Sequence, residues 1–190
     1  MNFVKKWASC VVSFLAGVLA LVLSACSGMV AVTKTPLGKE ESLTKAFKVI
    51  TDSKLLEEAK LYGEETKFMM MKVFSIILLA VAILLLIYSI VMLLKNLNVI
   101  KSNSRIFGII GMVLVVTFLI SSICVLVSSN VYASAVESVI PNLIALKSMG
   151  MIPATAVDAT VTVGIYQPIM LVVAIITSIL VTLFEVKNVK

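Results

Sequence analysis

The chain has 190 residues, of which 61% are apolar and 14% charged, and its net charge is +6. A water-soluble domain keeps about a quarter of its residues charged, so this composition, with a mean hydropathy of +1.14, excludes a soluble globular protein and a disordered one alike. The absence of histidine removes imidazole metal sites, histidine general bases and histidine-dependent triads. Cys10, Cys26 and Cys124 are too few and too scattered for a disulfide scaffold or a zinc cluster.

Lys5 and Lys6 precede an apolar stretch at residues 7–32. About 20 apolar residues in a helix cross a hydrocarbon core, so this stretch is predicted to be the first span. Only helices or closed barrels satisfy their backbone in lipid, and no apolar run in this chain alternates as barrel strands do. Small residues recur at every fourth position: Ser9, Ser13 and Gly17 along one line, Ala16, Ala20, Ser24 and Gly28 along the next. A stripe running through Ser9, Ser13, Gly17, Ala20, Ser24 and Gly28 allows a second helix backbone to approach closely, from another span or another copy. Leu23-Ser24-Ala25-Cys26, followed by Ser27, resembles the lipobox of a bacterial lipoprotein signal peptide. That resemblance covers residues 1–27. It implies a diacylglyceryl group on the Cys26 thiol and removal of residues 1–25, which would leave three spans and an N-terminus outside. The apolar core at residues 7–22 is long for a signal peptide, and Gly28 to Val32 stay apolar where lipoproteins turn polar. An uncleaved first span is the other reading.

Residues 33–72 form a charged loop with eight lysines against seven acids. Ser42 is placed to cap a helix carrying Leu43, Ala46, Phe47 and Ile50 on one face. A second helix opens near Ser53 with Leu55, Leu56, Ala59 and Tyr62 on one side and i, i+4 pairs Lys54–Glu58 and Lys60–Glu64 on the other. It is predicted to continue through Phe68, Met69, Met70 and Met71 into the second span at residues 73–94. The loop reads either as a solvated cap on the bundle or as a methionine-rich docking surface.

A short basic loop, residues 95–105, leads into a third span at residues 106–127, where Gly108, Gly111, Ser121 and Ser122 make a less regular small-residue pattern. Residues 128–164 hold only Glu137, Lys147 and Asp158 as charges. Pro141 is placed to start a helix and Gly150 to end it, with Leu143, Ile144 and Leu146 on its apolar side. Segment 134–152 is therefore expected to lie against the first loop, the membrane interface or a partner. The run Thr160-Val161-Thr162-Val163-Gly164-Ile165-Tyr166 resembles the selectivity filter of potassium channels, with Ile165 in the aromatic position and Tyr166 in that of the second glycine. The fourth span is predicted at residues 165–184, with Pro168 in its first turn, followed by a tail at residues 185–190.

The predicted fold is an all-α, four-transmembrane-helix bundle with short helices in its two outer loops, in one membrane domain. Lys5, Lys6, Lys95, Lys101, Arg105, Lys187 and Lys190 crowd the short segments on one side, whereas nine basic residues are spread over the long loops. The positive-inside rule then places both termini in the cytoplasm of a cell membrane. None of the predicted spans contains Asp, Glu, Lys or Arg, the usual mark of ion-coupled transport. No Walker loop, HExxH motif or nucleophile elbow occurs either. No catalytic residue, cofactor or metal ligand is expected, and the basic residues are read as orienting charges rather than a nucleic-acid surface. In layout the chain resembles the small, largely uncharacterised four-span proteins of bacterial inner membranes. Tetraspanins and claudins share that layout but carry cysteine motifs in an outer loop that this chain lacks.

The expected function is non-enzymatic binding of a membrane-protein partner or scaffolding of an assembly. Phe47, Leu55, Tyr62, Leu143 and Leu146 are the candidate contact residues. The alternatives are a small oligomeric channel or transporter and a lipid-anchored protein with three spans.

Overall fold

Long apolar runs without a charge have one stable state in lipid, and each becomes a helix. A computed structural model describes residues 2–35, 41–61, 63–100, 104–150 and 158–189. In chain order the elements are α1 (Asn2–Cys26), β1 (Gly28–Thr35), β2 (Glu41–Lys45), α2 (Ala46–Thr51), α3 (Ser53–Leu61), α4 (Glu65–Asn96), α5 (Ser104–Ser148), β3 (Asp158–Val163) and α6 (Tyr166–Val189). Among the described residues four helices are long and apolar enough to cross a membrane: Trp7–Cys26, Glu65–Asn96, Arg105–Val139 and Tyr166–Val186. The fold is thus an all-α four-helix membrane bundle, and its connecting segments add a small three-stranded sheet, β2-β1-β3.

The chain divides into two compact units. The first comprises Met1–Leu23, Ile76–Ile123 and Pro168–Lys190. Each of its helices buries one stripe: Ser9, Ser13, Ala16 and Ala20 on α1, Leu78, Ala82, Leu85 and Tyr88 on α4, Val115, Phe118 and Ser122 on α5, and Met170, Ala174, Val181 and Glu185 on α6. Their other faces expose Leu15, Ile87, Val113, Ile120 and Ile179. Apolar surface turned outward while small and polar residues join apolar ones on the buried face is a pattern suited to membrane helices, because lipid tails solvate Leu and Ile as well as a protein core does.

The second unit comprises Ser24–Ser75 and Cys124–Gln167. Here β1 is central and antiparallel to both neighbours, with Ala31 opposite Leu43 and Thr162, and Thr33 opposite Glu41 and Thr160. Met29, Val30, Ala46, Val49, Ala59, Phe68 and Met71 are buried in it, and the Phe68 ring meets Tyr132 edge-on, centroids 5.5 Å apart.

Four boundaries differ from the sequence-based expectation. α1 stops at Cys26, short of residue 32, because Gly28 to Val32 enter β1, where two partner strands satisfy the backbone that lipid would otherwise leave bare. Ser42 and Leu43 lie in β2 rather than in a helix, and α2 begins only at Ala46 behind Lys45, whose side chain forms no cap bond. α3 opens after Asp52, whose Oδ1 accepts from the Lys54 N–H at 3.0 Å. It does not run on into α4, because Gly63 at φ +73° closes it, with the Gly63 and Glu64 amides donating to the Lys60 and Ala59 carbonyls. Asn98 ends α4 by the same geometry at φ +59°. Finally, Pro141 does not start a helix: α5 passes through it and ends at Ser148, just before Gly150.

Candidate functional site

Most polar groups inside the spans satisfy themselves one turn back. Thr117, Ser121, Ser122 and Thr177 each donate to the carbonyl four residues earlier. Two clusters, one in each unit, join separate elements instead.

In the second unit the cluster centres on Met29 of β1. Its carbonyl accepts from the Gly164 amide at 2.8 Å and from Gln167 Nε2 at 2.6 Å. Ser24 and Tyr166 share a hydroxyl–hydroxyl bond of 2.9 Å, and Ser75 Oγ lies 3.7 Å from Met29 Sδ. Gly164 is required by close approach, since a Cβ there would fall on the Gly28 carbonyl. Gln167 Oε1 and Ser129 Oγ are buried without a hydrogen-bond partner among the described residues.

In the first unit the cluster centres on Tyr88 of α4. Its hydroxyl donates to the Phe107 carbonyl at 3.4 Å, packs against the Cα side of Gly111, and interacts electrostatically with Glu185 and Ser9. The Cys10 thiol donates to the Ser89 carbonyl at 3.1 Å, and Lys95 Nζ stands 5.0 Å above the Phe107 ring. Glu185 is only 1% exposed and falls within the fourth candidate span. The helix thus runs on past residue 184, where the fourth span was expected to end, and carries Glu185 on its buried face. The signal was present as periodicity: Met170, Ala174, Ser178, Val181 and Glu185 follow the 3.6-residue period of one buried face.

The sequence-predicted residues separate into groups. Ser9, Ser13, Gly17, Ala20, Ser24 and Gly28 are all buried, and a Cβ on Gly17 would meet the Leu86 side chain at 2.7 Å. The stripe therefore packs within the chain. Cys26 is exposed, and all three described cysteines are free thiols. Phe47 is 43% exposed on α2, and Leu55 is half-buried on α3. Tyr62 lies outside the described residues; Leu143 and Leu146 lie on α5, but their side chains fall outside what is described. Thr160 to Val163 of the filter-like run lie in β3, in register with β1 from Asp158 opposite Thr35 to Val163 opposite Val30, while Gly164 and Ile165 follow the strand and Tyr166 opens α6. A strand points successive carbonyls in opposite directions, whereas a filter needs them all on one side.

Among the described residues no three His, Cys, Asp or Glu side chains approach closely enough to hold a metal. The Met29 cluster joins hydroxyl, amide and carbonyl groups and the Tyr88 cluster hydroxyl, thiol, carboxylate and carbonyl groups, and each ties elements within its own unit. No known protein family, curated protein or solved structure matches this chain.

Proposed function

We propose that the chain is a non-enzymatic multi-pass protein of a cell membrane, with both termini cytoplasmic, that binds a membrane-protein partner and scaffolds an assembly. The observation that carries this reading is the size and order of the connection between the first two spans. Adjacent helices need only a few residues to connect them. Here β1, β2, α2 and α3 occupy that connection, and β3, from far along the chain, completes their sheet. α2 buries Ala46 and Val49 and turns Phe47 and Lys48 outward. α3 buries Ala59 and exposes Lys54, Glu57 and Lys60. The folded connection thus presents an exposed aromatic on α2 and exposed charged side chains on α3.

The test is native mass spectrometry of the chain purified in mild detergent from its own membrane. A second polypeptide retained by the wild type and lost from Phe47→Glu supports the reading. A closed homo-oligomer that is indifferent to Phe47→Glu and conducts ions in liposomes overturns it in favour of a pore. A lipid anchor at Cys26 is a second reading, favoured by the exposure of that side chain. The same spectrum decides it, because a processed subunit is lighter by residues 1–25 and heavier by lipid.

A further inference from the structure

We infer that the second unit carries a phospholipid site in the shallow depression lined by Lys67 of α4 and Asn130, Val131, Ser134 and Ala135 of α5. Its depth in the membrane follows from counting. Residues 106–136 contain no charged side chain, and as a helix they span about 46 Å at 1.5 Å per residue. The hydrocarbon core is only about 30 Å thick, and about 40–45 Å with its headgroup layers. Arg105 fixes one end of this run, so Asn130 and Ser134 emerge into the opposite headgroup layer. On α4, Lys67 lies six positions before the first residue of the uncharged run 73–94, which is itself about 33 Å long. Both rulers bring the depression to the layer where phosphate and glycerol esters lie.

The chemistry of the lining fits that layer. Asn130 and Ser134 are exposed, one helical turn apart on the same face. Asn130 Nδ2 already donates to the Leu126 carbonyl at 2.8 Å, which fixes the amide in place. Val131 is 45% exposed beside them, and Val127 continues an exposed apolar track toward the hydrocarbon. Lys67 keeps 41% of its side chain exposed while its Nζ lies 2.9 Å from Glu64. An ammonium with two further donors, set above an amide and a hydroxyl at the head of an apolar track, matches a phosphate, glycerol ester oxygens and an acyl chain in that order. Lys67 is already paired with Glu64, so a phospholipid is preferred to a protein occupant for the headgroup depth of the lining and the exposed apolar surface of Val127 and Val131 below it.

The test uses the full chain in mild detergent, given phosphatidylglycerol and examined by native mass spectrometry. Wild type is expected to retain one phospholipid through detergent removal, and Lys67→Gln/Asn130→Leu to lose it while keeping its far-ultraviolet helical signal. Equal retention by both overturns the site. So does a wild-type dimer without lipid that dissociates in the variant, because it would seat a second copy in the depression. Should the variant not fold, a phosphatidylglycerol carrying an acyl-chain diazirine decides on the wild type alone. Adducts on residues 123–135 support the site, and adducts only elsewhere overturn it.

Discussion

Met29 owes its two hydrogen-bond partners to Gly164, which follows directly on β3, and to Gln167 in the first turn of α6. Because a Cβ on Gly164 would fall on the Gly28 carbonyl, the group it would meet is backbone, which cannot turn aside as a side chain would. Gly164→Ala is expected to break the register between β1 and β3. Gly63→Ala meets nothing within 4 Å and suffers only from its φ of +73°, a cost of about 1–2 kcal/mol. Thermal unfolding in detergent should rank the two variants in that order, with Gly164→Ala clearly the less stable. An equal loss would show that the approach of the two strands is not tight. Tyr88 and Glu185 allow a second residue-scale test. Their side chains interact inside the first unit, so a double-mutant cycle of Tyr88→Phe and Glu185→Gln should give a coupling of about 0.5–3 kcal/mol. Additive losses would contradict the tie. At this scale the small-residue stripe of α1 was legible in the sequence because four-residue spacing is local. Glu185 was missed because a charge next to a chain end reads as tail, although its phase on α6 places it on the buried face.

The same contrast between local and distant signals holds for whole elements. Spans were readable because uncharged runs of this length have only one solution in lipid. The sheet was not, because β1 resembles the end of a span in composition, and its partners lie about ten and about 130 residues away in sequence. The helix end at Gly150 was readable, whereas Gly63 was read through as helix although its φ of +73° closes α3, and Pro141 was misleading as a start. Proline cannot donate to the carbonyl of Glu137, so α5 carries a missing bond where it passes through. Pro141→Ala is expected to restore that bond. Hydrogen exchange of the amides on the following turn should slow roughly fivefold, on the order of 1 kcal/mol. Unchanged exchange there would mean that the last turns of α5 are held by contacts other than their own ladder.

For the whole molecule, the first unit is a membrane-embedded set of helices with apolar outer faces, and the second combines helix ends with a small sheet. The function proposed here depends on the second unit presenting a surface that the first does not. Photo-crosslinking in the native membrane compares them directly, with benzoylphenylalanine placed at Phe47 on α2 or at Val113, which is exposed on the α5 part of the first unit. A discrete protein adduct from position 47, lost when Lys48 and Leu55 are replaced by glutamate, together with only lipid adducts from position 113, is the predicted result. Lipid adducts from both positions, or a discrete protein adduct from position 113 alone, would contradict it.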